Sequence, residues 1–292
     1  MTGAAGIRGT LPAERSGQLP SADLLEKRAR FTAAPHDGTV ALTDLVLGGV
    51  ACRTLIGGDD VTVLYLHGGG YRMGSAGAYT PYGAQLARSG RATVVLVDYR
   101  LAPEAPFPAA IRDAVTVYEA LRAERPDRPI VVAGDSAGGG LAASVVVAAG
   151  AAGARRPDGL ALLSPWLDLR CDSPSYRTST DPLFDHDTAL TARESYLQGH
   201  DPDDPLVSPL RADLGGFPPT LIQVGTTESL LGDALGFSSG LAVAGVSCQL
   251  EIVAGRGHTW PLTEPMHPES VAATESVGRF VRRHADHAAG TR

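Results

Sequence analysis

The chain has 292 residues, of which 43% are hydrophobic and 20% charged, and a formal net charge of -7 spread along its length. That is enough chain for one large domain or two small ones. The charge offers neither a nucleic-acid surface nor a polybasic membrane patch. Three widely spaced cysteines, Cys52, Cys171 and Cys248, fit reduced thiols better than a disulfide framework or a metal knuckle. The start, MTGAAGIRGTLPAERSGQ, lacks an apolar secretory segment, and the uncharged stretch 141–154 is short of a membrane span. A soluble cytoplasmic protein is expected.

Residues 39–55 alternate in the manner of an antiparallel hairpin and are expected at the first edge of a sheet. Short aliphatic runs bounded by Gly, Pro or Asp then predict buried strands at 61–66, 93–97, 130–133, 160–163, 220–224 and 248–253. Helical spacing fills the intervals at 79–89, 108–123, 136–149, 230–244 and 268–284, with Pro108 at a helix start. This alternation predicts an α/β fold with a mostly parallel sheet of about eight strands, covered on both faces. Residues 1–37 and 165–215 break the pattern, the latter with only a short helix near 188–198. Such segments are expected to form a cap on a single domain spanning 1–292.

The strand at 130–133 runs into Gly134-Asp135-Ser136-Ala137-Gly138 and then a helix. This G-x-S-x-G in a strand-to-helix context is what a nucleophile elbow requires, with the serine on a strained turn and glycines where neighbouring chains approach. The bare pattern also suits a turn capped by serine. A second motif adds weight. His67-Gly68-Gly69-Gly70 follows the strand at 61–66, and its side-chain-free amides can serve where a carbonyl oxygen becomes negative. The amides of Gly69, Gly70 and Ala137 can converge on one point, and the loop lacks the spacing of a phosphate cradle.

Among eight histidines, His258 lies just after the last strand, on the sheet edge where the serine turn emerges. His67 is expected to brace the glycine loop. The orienting acid belongs after the penultimate strand, where Glu228 is the first candidate and Asp233, more than one turn into the next helix, the second. Asp135 is expected to brace the elbow.

With these residues in place, the chain resembles the hormone-sensitive-lipase-like family of α/β-hydrolase fold carboxylesterases. The likeness rests on HGGGYRMGS at 67–75, DYRLAPEAPFPAA at 98–110, GDSAGGGLA at 134–142, LSPWLDL at 163–169, DPDDPLVSPL at 201–210, PPTLIQVGTTESLL at 218–231 and GRGHTW at 255–260. The resemblance implies Ser136 as nucleophile, His258 as base and Glu228 as the triad acid. It also implies an oxyanion hole from Gly69, Gly70 and Ala137, and a helical cap. Substrate contacts are expected from Tyr71, Arg72, Trp166 and Phe184. The chain departs from the family pattern at Gly-Arg-Gly before His258, at LLGDA after the acid, at Arg72, where an apolar residue is usual, and in the Pro-rich WPLTEPMHPE. These positions shape the acyl or alcohol pocket in such enzymes.

The function expected is hydrolysis of carboxylic esters with short to medium acyl chains through an acyl-enzyme on Ser136. It requires no cofactor and no metal, and its partner is a small-molecule ester. A specialised biosynthetic deacylation or lactone reaction on the same triad is the alternative. A ligand receptor, as in the plant gibberellin receptors built on this scaffold, is the third reading, although those have lost the histidine. The strand at 248–253 is expected at an exposed sheet edge, where pairing into a homodimer would cover it.

Overall fold

The computed structural model describes residues 6–31 and 33–290, with side chains to residue 284. Residues 1–5, 32, 291 and 292 of the expected single domain, the first six of them in its expected N-terminal cap segment, lie outside the described residues. The strands are β1 (Ala41–Leu47), β2 (Val50–Ile56), β3 (Thr62–Leu66), β4 (Thr93–Val97), β5 (Ile130–Asp135), β6 (Gly159–Leu163), β7 (Thr220–Gly225) and β8 (Cys248–Val253). They form one eight-stranded sheet in the order β1-β2-β4-β3-β5-β6-β7-β8. β1 pairs antiparallel with β2, and β2 with β4; all later pairs are parallel. The hairpin therefore sits at one edge and β8 at the other.

The helices are α1 (Ala22–Arg30), α2 (Thr80–Gly90), α3 (Ala109–Glu124), α4 (Ser136–Ala151), α5 (Ser175–Thr178), α6 (His186–Leu197), α7 (Leu231–Val243), α8 (Trp260–Thr263) and α9 (Pro268–Gly290). Central strands are buried on both faces, and successive residues point to opposite sides. Leu64 and Leu66 of β3 join the core under α3, α4 and α7, whereas Val63 and Tyr65 join the core under α2 and α9. Five predicted helices and all predicted strands lie within a few residues of the expected bounds. The pattern did not disclose α1. It is capped by Ser21, whose hydroxyl accepts the amide of Leu24, and it is laced by Asp23–Lys27 and Glu26–Arg30 pairs, with Leu24 its one buried residue. Nine residues with a single buried leucine give an apolar face too short for a period to be read. One-turn helices such as α5 and α8 give no period either.

The chain leaves β3 for β4 on one side and later returns to β5 on the other. This is a switch point of the kind where open parallel sheets place their ligands. Leu66 and Gly134 are register partners across β3 and β5, and Asp135 and Leu163 across β5 and β6. The loops that begin at His67, Ser136 and Ser164 are thereby set side by side.

Candidate active site

Ser136 opens α4 directly from β5 and holds φ at +52°, a left-handed conformation rare for a residue with a side chain. A turn this sharp brings β5 and α4 against neighbouring backbone. A Cβ on Gly134 would overlap the carbonyls of Gly138 and Leu66, and one on Gly138 would overlap those of Leu66 and His67. The glycines of the motif are thus required by packing, and the serine is what the turn presents.

The hydroxyl of Ser136 lies 2.8 Å from Nε2 of His258. On the far side of the ring, Nδ1 lies 3.1 Å from Oε2 of Glu228. Because a carboxylate only accepts, Nδ1 carries the proton and Nε2 is left to accept from the serine. All three side chains are buried. Burial pushes the pKa of Glu228 up, opposed by its hydrogen bonds to His258, the Gly225 amide and Ser164. The last two are 2.6 and 2.8 Å long and both reach Oε1, so every oxygen of this buried acid has a donor.

Asp233 does not approach His258. Its Oδ2 accepts the amides of Leu167 and Asp168, each at 2.9 Å, and it is fully enclosed. Burial raises it to about 8. Asp135 does brace the elbow: Oδ1 accepts the Tyr65 hydroxyl and the Gly68 amide, Oδ2 the Tyr79 hydroxyl. Desolvation lifts it to about 6. His67 stacks on Tyr99 with ring centroids 4.2 Å apart and donates Nδ1–H to the Gly68 carbonyl. Burial lowers it to about 4, so it stands neutral under the loop.

Gly69 and Gly70 have φ of +111° and +63° and border a cavity of about 520 Å³ above Ser136. Among the described residues neither amide meets an acceptor. The Ala137 amide belongs to the first turn of α4, where no intrahelical acceptor exists. Two of the four expected substrate contacts, Arg72 and Phe184, are in the cavity wall. Tyr71 and Trp166 are not, which corrects the expectation for both. Tyr71 stacks on Tyr196 of α6 at 3.8 Å, Trp166 meets Phe184 edge-on at 5.4 Å, and both are essentially inaccessible. They fill the layer behind the wall, where the missing side chain of Gly140 lets the Tyr71 hydroxyl and the Trp166 carbonyl come up against α4.

Two polar residues around the histidine were not anticipated. Ser164, at the end of β6, joins Glu228 to the Thr259 amide. Its place after a central strand, on the same edge as Ser136, is the signal that could have found it. Asp181 accepts the backbone amide of His258 from within 165–215, a segment without periodicity to read. Phe184 stacks on the His258 ring at 5.1 Å.

A family model described as alpha/beta hydrolase fold matches residues 63–262. An acetyl-hydrolase of Streptomyces hygroscopicus is 40% identical over 227 residues, covering 77% of this chain and 76% of that protein. An esterase of Acinetobacter venetianus is 33% identical over 253 residues, 84% of this chain and 83% of the relative. Among solved structures, an esterase from the bacterial hormone-sensitive lipase family superposes with a TM-score of 0.86 at 36% identity, covering 95% of this chain and 94% of that one. With the sheet, the elbow and these matches together, the chain belongs to the hormone-sensitive-lipase-like family of α/β-hydrolase fold carboxylesterases.

Proposed function

We propose that the protein hydrolyses carboxylic esters of short to medium acyl chains through an acyl-enzyme on Ser136. The observation that carries this reading is the hydrogen-bonded series Ser136, His258, Glu228 beneath a largely apolar cavity. His258 takes the Ser136 proton as Oγ attacks the ester carbonyl, and Glu228 stabilises the imidazolium that forms. The carbonyl oxygen becomes negative and is received by the amides of Gly69, Gly70 and Ala137, each such donor being worth about 3 kcal/mol in comparable sites. The C–O bond breaks, and the alcohol leaves with the proton from His258. Water, deprotonated by the same imidazole, then releases the acid and restores the serine.

Phe31 and residues 183, 184, 188 and 192 contribute to the cavity wall. This supports the reading that the segments 1–37 and 165–215 act as a cap that excludes water and selects the acyl chain. The three cysteines are free thiols, which suits a reducing cytoplasm. Among the described residues no helix is long and apolar enough to cross a membrane. Among the described residues the outer edge of β8 has no strand beside it, and a second copy pairing there would make a homodimer, measurable by light scattering.

The test is turnover of p-nitrophenyl esters from acetate to decanoate by wild type and Ser136→Ala, with fluorophosphonate labelling of both. Wild type is expected to be labelled and to favour the shorter esters; wild-type rates in the Ser136→Ala variant would overturn the reading.

A further inference from the structure

Arg72 is the sole arginine or lysine in the wall of the cavity above Ser136, among the described residues. The surrounding wall is made of groups such as Phe31, Leu183, Phe184 and Leu262. A cation in such a wall ordinarily brings its own carboxylate. Arginines elsewhere in the chain do: Arg28 pairs with Glu104 at 2.6 Å, Arg53 with Asp44 at 2.7 Å and Arg193 with Glu194 at 2.6 Å. No carboxylate among the described residues pairs with Arg72, and its Nε is buried without an acceptor. Asp23 acts on it at longer range, but that carboxylate is largely exposed and pairs with Lys27 at 2.8 Å.

The side chain has no evident task in holding the fold. The turn is secured by the backbone of Arg72: its amide donates to the Gly69 carbonyl, and its own carbonyl accepts Nε–H of Arg28. The guanidinium runs beside the loop, since a Cβ on Gly70 would lie 3.9 Å from Arg72 Nε. An anion held by it would therefore share the cavity with an ester bound over Ser136.

We propose that Arg72 is a specificity residue that receives a carboxylate carried by the ester substrate. The inference rests on the ester-hydrolase reading above and names the substrate class for it. A guanidinium fork matches a carboxylate in two parallel hydrogen bonds, and the pair gains strength where water is excluded. One positive charge suits one carboxylate; a phosphate dianion would call for a second free cation, and the nearby Arg28 is already neutralised by Glu104.

The experiment compares kcat/KM for two matched pairs, the p-nitrophenyl half-ester of glutaric acid against p-nitrophenyl hexanoate, and 4-carboxyphenyl butyrate against phenyl butyrate. The first pair carries the carboxylate on the acyl half, the second on the alcohol half. In wild type one pair is expected to favour the charged ester by roughly tenfold to a hundredfold, the value of a charge-assisted hydrogen bond, mainly in KM and weakening with added salt. Arg72→Leu is expected to abolish that ratio and Arg72→Lys to retain part of it, with melting curves checking that both fold. Because the wild-type preference and its salt dependence need no variant, a folding failure does not shield the proposal. Charged-to-neutral ratios near one in both pairs, or a ratio that survives Arg72→Leu, overturn it while leaving ester hydrolysis standing. Absence of turnover on all four esters together with no fluorophosphonate labelling would instead overturn the underlying reading.

Discussion

Ser164 and Glu228 form the support beneath the histidine: the Ser164 hydroxyl donates to Glu228 Oε1 at 2.8 Å and at the same time accepts the Thr259 amide at 3.1 Å. Removing that hydroxyl leaves a buried carboxylate oxygen with one donor fewer and a buried amide without an acceptor. Ser164→Ala is expected to lose about 1 to 3 kcal/mol of stability and roughly tenfold in kcat. Urea denaturation and steady-state kinetics check both. An unchanged kcat would mean that Glu228 is held well enough by the Gly225 amide alone.

Glu228 and Asp233 are both buried acids near the histidine's end of the sheet, yet only Glu228 reaches its ring. Glu228→Gln is expected to cut kcat by about 10³ to 10⁴, since an amide no longer stabilises the imidazolium or fixes its tautomer. Asp233→Asn is expected to stay within a few-fold of wild type. Equal losses in the two variants would contradict this division of roles.

The raised pKa of Asp233 gives a separate signature in stability. The folded chain keeps the Asp233 proton up to about 8, whereas an aspartate side chain free in water gives it up at 3.8. Between these values the folded state holds more protons than the unfolded one, so this contribution is fully present below about pH 4 and is lost as pH rises to about 8. Asp135, raised to about 6, acts in the same direction over the lower half of that window. Midpoints of urea unfolding at pH 6 and pH 8.5 should fall more steeply in wild type than in Asp233→Asn. Parallel slopes would show that Asp233 is ionised when folded.

Arg28 connects α1 to the glycine loop, donating to the carbonyls of Arg72 at 2.7 Å and Ala102 at 2.8 Å while pairing with Glu104. Arg28→Ala is expected to loosen the turn at 69–73 and to lower kcat by about tenfold through poorer placement of the Gly69 and Gly70 amides. Arg28→Lys should recover little, because one ammonium cannot serve both carbonyls and the carboxylate in the same geometry. A change confined to KM would point to the cap instead of the loop.

Gly138 tests the elbow itself. A Cβ there would overlap the carbonyls of Leu66 and His67, so Gly138→Ala is expected to destabilise the protein by about 1 to 3 kcal/mol and to displace β3 from β5. Thermal melts measure the loss. A variant as stable as wild type would mean that the two backbones separate without cost.

What the sequence determined by itself was the local physics: aliphatic runs long enough only for strands, helices between them, and a glycine-flanked serine and a glycine-rich loop each following a strand. Parallel connectivity then required Ser136, Glu228 and His258 to emerge at one edge, which is why residues far apart in the chain were readable as one site. Distances between side chains are set by register and packing, and these were decided only in three dimensions. That Glu228 and not Asp233 meets His258 depends on which carboxylate faces the ring across β7 and β8. That Tyr71 and Trp166 stand behind the wall while Arg72 faces the cavity depends on how these rings pack against Gly140 of α4, Tyr196 of α6 and Phe184. Ser164, Asp181 and α1 act through hydrogen bonds between distant segments, and such bonds leave no period in a sequence.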